Sequence, residues 1–160
     1  MQSLLPSIVV LSIAAGVSVW LTISRDYRKS DLLSSKNAVT WLSLATGIQI
    51  IHFLEEYLTG FPNSLAEVFG LEPMSDAFFL AFNLSWITAW IWSIFNLEKS
   101  RFAVFAAWFL AVAGVANGIL HPLLALVSTS YFPGLISSSF VGVTCFVLTR
   151  KLVAMSSTLK

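Results

Sequence analysis

Five long apolar runs separated by polar connections set the pattern of the chain: Leu4–Ser24, Ala38–Leu58, Ala77–Phe95, Phe102–Val127 and Phe132–Leu148. Each approaches the ~20 residues that an α-helix needs to cross a bilayer. The pattern predicts an all-α, polytopic membrane protein, a five-transmembrane-helix bundle forming a single domain over residues 1–160. No internal repeat, low-complexity tract or long linker divides it. The connection Thr59–Asp76 is long for such a bundle. Within it, Ser64-Leu65-Ala66-Glu67 has the spacing of a capping box, so a short interfacial helix over 64–71 is expected there. Such a helix would serve as a lid over the membrane site or as a plain amphipathic linker.

Composition agrees with the pattern. Of 160 residues, 57% are hydrophobic and 11% charged, whereas a soluble domain is about 25% charged. So apolar a chain has too little polar surface to face water, and its main partner is a lipid bilayer. A net charge of +1 without a basic patch leaves no nucleic-acid partner to expect. Cys145 is the one cysteine and lies in an apolar run, which suits a small packing residue. The first run has no basic residue before it and is longer than a signal-peptide core, so it reads as a retained span.

The charges also orient the bundle. The nine basic residues are Arg25, Arg28, Lys29 and Lys36 in the first connection, Lys99 and Arg101 in the third, and Arg150, Lys151 and Lys160 in the tail. The positive-inside rule then places the N-terminus outside and the C-terminus in the cytoplasm of a multi-pass cell-membrane protein. Thr59–Asp76 and Ser128–Tyr131 face the exterior. Gly114 with Gly118, and Ser138 with Gly142, form small-x-x-x-small pairs that let helices approach closely, within the chain or between copies in a homo-oligomer. Trp41, Trp86, Trp90 and Trp92 read as interfacial anchors or packing residues.

One stretch departs from this pattern. In Ile51-His52-Phe53-Leu54-Glu55-Glu56-Tyr57, a histidine and two carboxylates fall within five positions. His52 and Glu56 are four apart and share a helix face, with Glu55 on its flank. Gln49 and Thr46 extend the polar stripe backwards at intervals of three. Such a stripe is costly in lipid and is expected to face the bundle interior. The fourth run offers partners: Asn117 and His121, again four apart, followed by Pro122, which should kink the helix. The third run contributes Asn83, whose Asn83-Leu84-Ser85 sequon lies inside a span and should escape glycosylation. Tyr131 stands at the outer start of the fifth. At a ~1.5 Å rise per residue, His52 and Asn83 each lie about 9 Å from the outer ends of their helices, and Asn117 and His121 within about 15 Å. All of these residues therefore fall in the outer half of the bilayer, as members of one site would.

His52-Phe53-Leu54-Glu55-Glu56-Tyr57, Asn117-Gly118-Ile119-Leu120-His121 and Tyr131-Phe132-Pro133-Gly134 together resemble the motifs of the HXXEE family of small membrane proteins. The resemblance extends over roughly Ala38 to Val147. It implies that His52, Glu55, Glu56, Asn117, His121 and Tyr131 act as one unit, and it implies no particular reaction.

Three functions suit this constellation. The first is acid/base or metal-assisted catalysis on a lipid or isoprenoid-like substrate, by a membrane isomerase, cyclase or hydrolase. Its catalytic residues would be His52, Glu55, Glu56, Asn117 and His121, with Gln49, Asn83 and Tyr131 binding substrate. By fold-level analogy, emopamil-binding-type isomerases also place His and Glu inside a small helical bundle. The second is metal or proton transport or handling. Its metal ligands would be His52, Glu56 and His121, whose imidazole and carboxylate donors suit a divalent ion such as Zn or Fe. The third is noncatalytic assembly, with the polar residues specifying helix pairing. Imidazole nitrogens and a carboxylate within about 5 Å of one another, beside a cavity, would favour a site.

Overall fold

The computed structural model describes residues 5–27 and 31–158. Leu4, Arg28, Lys29 and Lys160 of the span and charge arguments lie outside the described residues. Six helices are described: α1 (Leu5–Ile23), α2 (Leu32–Leu58), α3 (Phe61–Phe69), α4 (Asp76–Asn96), α5 (Arg101–Ser128) and α6 (Leu135–Ala154). Four of them, α2, α4, α5 and α6, are long and apolar enough to cross a membrane. That is one fewer than the five expected, because the described apolar stretch of α1, Ser7–Ile23, is shorter than the other four. Among the described residues, the one strand pairing in this otherwise helical fold is a two-residue antiparallel match of β1 (Arg25–Asp26) with β2 (Ser157–Thr158). It fastens the first connection to the tail at one end of the bundle.

Local chemistry explains where the helices begin. The Asp31 carboxylate accepts from the Ser34 N–H at 2.9 Å, so α2 starts at Leu32 and takes in Lys36, which the pattern had left in the connection. Ser75 and Ser100 cap α4 and α5 in the same way. The short helix starts at Phe61, not at Ser64: Gly60 is its left-handed N-cap (φ 80°) and Pro62 sits in its first turn, so Ser64 is already helical. The expected capping box is therefore not formed. α6 begins at Leu135 rather than Phe132, because Pro133 has no N–H and Gly134 is left-handed (φ 82°). α5 runs unbroken with Pro122 inside it.

α5 is the hub, packing against α6, α1 and α4, and α2 lies across α6 and α4. Small residues on α5 make this possible: Ala103, Ala106, Ala107 and Ala111 are buried on successive turns. The α5–α6 contact is the most extensive. A Cβ built on Gly118 would lie 2.7 Å from the Cα of Gly142, and one on Gly114 would collide with the Sγ of Cys145. The two small-residue pairs are thus used within the chain. Cys145 is the buried packing residue expected. At the tethered end the Trp108 Nε1–H donates to the Tyr27 hydroxyl at 2.6 Å, tying the segment after α1 to α5.

Candidate functional site

The polar stripe of α2 turns inward. Gln49, His52 and Glu56 are buried, as is His121 on α5. Thr46 is buried too, its hydroxyl without a partner among the described residues. Glu56 Oε1 lies 3.5 Å from His52 Nε2 and 3.3 Å from His121 Nε2. The two imidazole rings meet edge to face at 4.8 Å. The spacing of about 5 Å that would favour a site is met.

The outer nitrogens of the two rings have definite partners. His121 Nδ1 lies 2.7 Å from the Pro133 carbonyl oxygen, which can only accept, so Nδ1 carries the proton. His52 Nδ1 lies 2.8 Å from the Ser137 hydroxyl. That hydroxyl gives its one hydrogen to Glu55 Oε2 and so accepts from His52 Nδ1–H. With both Nδ1 atoms protonated, the Nε2 atoms of both rings are left as acceptors that face the Glu56 side chain. The Asn117 amide, 3.4 Å away, is in place to donate to His52 Nε2.

Glu55 does something else. It accepts from the Tyr131 hydroxyl (2.6 Å) and the Ile136 N–H (3.0 Å) on Oε1, and from the Ser137 N–H (2.8 Å) and hydroxyl on Oε2. These occupy the four acceptor sites of a carboxylate. The N-cap of α6 is a glycine that offers no side chain, so Glu55 from α2 satisfies two of its orphan N–H groups and meets its positive dipole end. Partial burial pushes the Tyr131 phenol above its ordinary range, and the bond to Glu55 adds to this, so Tyr131 stays a neutral donor.

The segment between α5 and α6 scaffolds the whole cluster. Tyr131 binds Glu55, Phe132 packs edge to face on His121, Pro133 supplies the carbonyl, and Gly134 underlies both rings. A Cβ on Gly134 would lie 2.8 Å from Cε1 of each imidazole and 2.9 Å from Glu56 Cγ. α3 folds over the outside of the cluster and stacks Phe61 on His121 at 5.7 Å. Sequence reasoning named Tyr131, named Gly134 as part of a motif without giving it a role, and missed Ser137. A glycine after proline and a serine three residues later, opposite an expected helix start, was the available signal.

Beside the cluster is a cavity of ≈ 170 Å³ that Glu56, Gln49, Asn83 and Asn117 line along with Phe61, Phe79, Trp86 and Phe109. The Asn83 Nδ2 is bonded back to the Phe79 carbonyl at 2.9 Å. Gln49 and Asn83 thus border the cavity, whereas Tyr131 lies on the far side, against Glu55. Trp86 and Trp90 line it as well, and Trp90 Nε1–H donates to the Ala106 carbonyl.

These features define a helical membrane protein with a buried cluster of two histidines and a carboxylate. The chain belongs to the HXXEE family, whose pattern, described as "Protein of unknown function with HXXEE motif", matches residues 41–148. No curated protein and no solved structure matches the chain.

Proposed function

We propose that this is a five-span cell-membrane protein whose His52, Glu56 and His121 hold a divalent metal such as Zn or Fe, for metal-assisted chemistry on a lipophilic substrate. The convergence of three lone pairs carries the reading. The Nε2 atom of His121, that of His52, which the Asn117 amide would release to an ion, and an oxygen of Glu56 all lie within 4.8 Å of one another, away from water. Such a triad is self-repelling unless a proton or a metal ion sits among the three atoms. A tetrahedral ion with bonds of about 2.0–2.2 Å spaces its ligand atoms roughly 3.3–3.6 Å apart; the separations of 3.3 and 3.5 Å from Glu56 to the imidazoles suit it, and the two imidazole nitrogens, up to 4.8 Å apart, would draw together around the ion. The Pro133 carbonyl and the Ser137–Glu55 pair then serve as the outer partners that metal-bound imidazoles require.

Three protein ligands leave a coordination position for a water or substrate oxygen, the arrangement of catalytic rather than structural sites. A metal bound there would act as a Lewis acid. Glu56 and Asn117 border the cavity, where the Asn117 amide, released from His52 Nε2 by the ion, is within reach of a bound molecule. Glu55 and Tyr131 are positioning residues that hold the start of α6. The pairing of β1 with β2 puts the first connection and the tail at one end, in keeping with an odd number of spans and cytoplasmic basic segments.

Elemental analysis of the purified full chain tests the reading: about one divalent metal per chain is expected, lost in Glu56→Gln and in His121→Ala. Circular dichroism checks that the variants remain helical. A metal-free wild-type chain that is fully folded, or metal retained in both variants, overturns it.

A further inference from the structure

We infer that the cavity beside the cluster receives the head of a neutral lipophilic molecule, an alcohol or carbonyl compound, side-on from the bilayer between α1 and α4. The inference rests on the metal-site reading only for the ligand that would bind the head. The lining itself argues the rest. Phe78, Phe82 and Trp86 form much of an apolar wall, and the polar groups include the neutral amides of Gln49, Asn83 and Asn117, the residue Ser7 and the carboxyl group of Glu56. Among the described residues, no lysine or arginine lines the cavity. A phosphate head stripped of water needs charge-assisted partners of the Arg or Lys kind, and here it would meet a carboxylate instead. A hydroxyl or carbonyl oxygen matches amide donors and acceptors without that penalty.

Size and access point the same way. The ≈ 170 Å³ cavity is only slightly larger than the ~150 Å³ apolar cavity that takes up benzene, so it admits a head and a short apolar segment. A longer tail has to leave sideways. Ile8 and Leu11 of α1 and Phe78 and Phe82 of α4 line the cavity, yet these two helices pack mainly on α5 and not extensively on each other. Ile8 and Phe78 are each about half exposed, so the cavity wall is open on that side. α3 closes the end of the cavity with Phe61, which leaves the lateral route as the access path.

A diazirine-bearing octanol tests this with the full chain in nanodiscs, by photolabelling and peptide mass spectrometry. Labelling should saturate and concentrate on cavity residues of α4 and α5 such as Phe82, Trp86 and Phe109. Plain 1-octanol should displace it at least ten-fold more effectively than octyl phosphate does. Non-saturable labelling spread over lipid-facing residues such as Ile13, Phe95 and Phe146 overturns the inference, as does equal displacement by octyl phosphate. Metal content is measured on the same samples. A metal-free protein with saturable cavity labelling upholds the neutral-head site and sinks the metal centre. A metal-loaded protein without such labelling overturns the cavity inference alone.

Discussion

Glu55 and Glu56 are neighbours with different work because successive helical side chains point about 100° apart. Glu56 turns to the imidazoles and the cavity, and Glu55 turns to the start of α6. The sequence placed both carboxylates at a membrane site, but it could not separate their roles, since Ser137 and Tyr131 are distant in the chain. Ser137 links the two systems, so Ser137→Ala should free His52 Nδ1 and weaken metal binding about 10- to 100-fold with the helices intact. Competition with a chromogenic chelator measures this, and unchanged affinity would show that Ser137 does not orient the ring. Gly134→Ala places a Cβ against both rings at a left-handed φ. Its backbone strain alone costs on the order of 1–3 kcal/mol. Thermal denaturation should show the loss, together with a lower metal content than wild type.

At the scale of the helices, the small-residue pairs were legible as close-approach signals, whereas their partner was not. A G-x-x-x-G face fits another copy of the chain as well as it fits α6, and only the packing shows that α6 occupies it. Gly118→Ala would press a methyl group against the Gly142 backbone, which cannot rotate away. Overpacking of this kind costs about 1–3 kcal/mol, and denaturant titration in detergent should show destabilisation of that order. Gly47 is the control: a Cβ there meets nothing within 4 Å, so Gly47→Ala should be neutral or stabilising by up to about 1 kcal/mol. Helix starts were less legible than helix existence. Hydropathy cannot see that Asp31 caps α2 ahead of its apolar run, or that Gly60 and Gly134 take left-handed conformations that set the first turns of α3 and α6.

For the whole molecule, the proposed orientation puts α3 outside and the α4–α5 connection inside. Single cysteines at the exposed positions Asn63 and Glu98 report on the two sides, and buried Cys145 contributes little background. A membrane-impermeant maleimide applied to intact cells should label Asn63→Cys at once and Glu98→Cys only after permeabilisation. The opposite result would invert the bundle and place the cluster in the inner half of the bilayer.

Taken alone, the sequence determined the helical membrane class and the residues that do not belong in lipid. Both follow from a local cost: a run of about 20 apolar residues must leave water, and a buried charge must find a partner. Matching depths along three helices were enough to predict that the polar residues meet. Only the tertiary structure decided how they meet. The proton positions of His52 and His121 depend on acceptors at Ser137 and Pro133, supplied by a segment with no hydropathy signal of its own. The His52-x-x-Glu55-Glu56 stretch could therefore be located from its cost in lipid, but its chemistry depends on distant partners that only the packing of α2, α5 and α6 brings together.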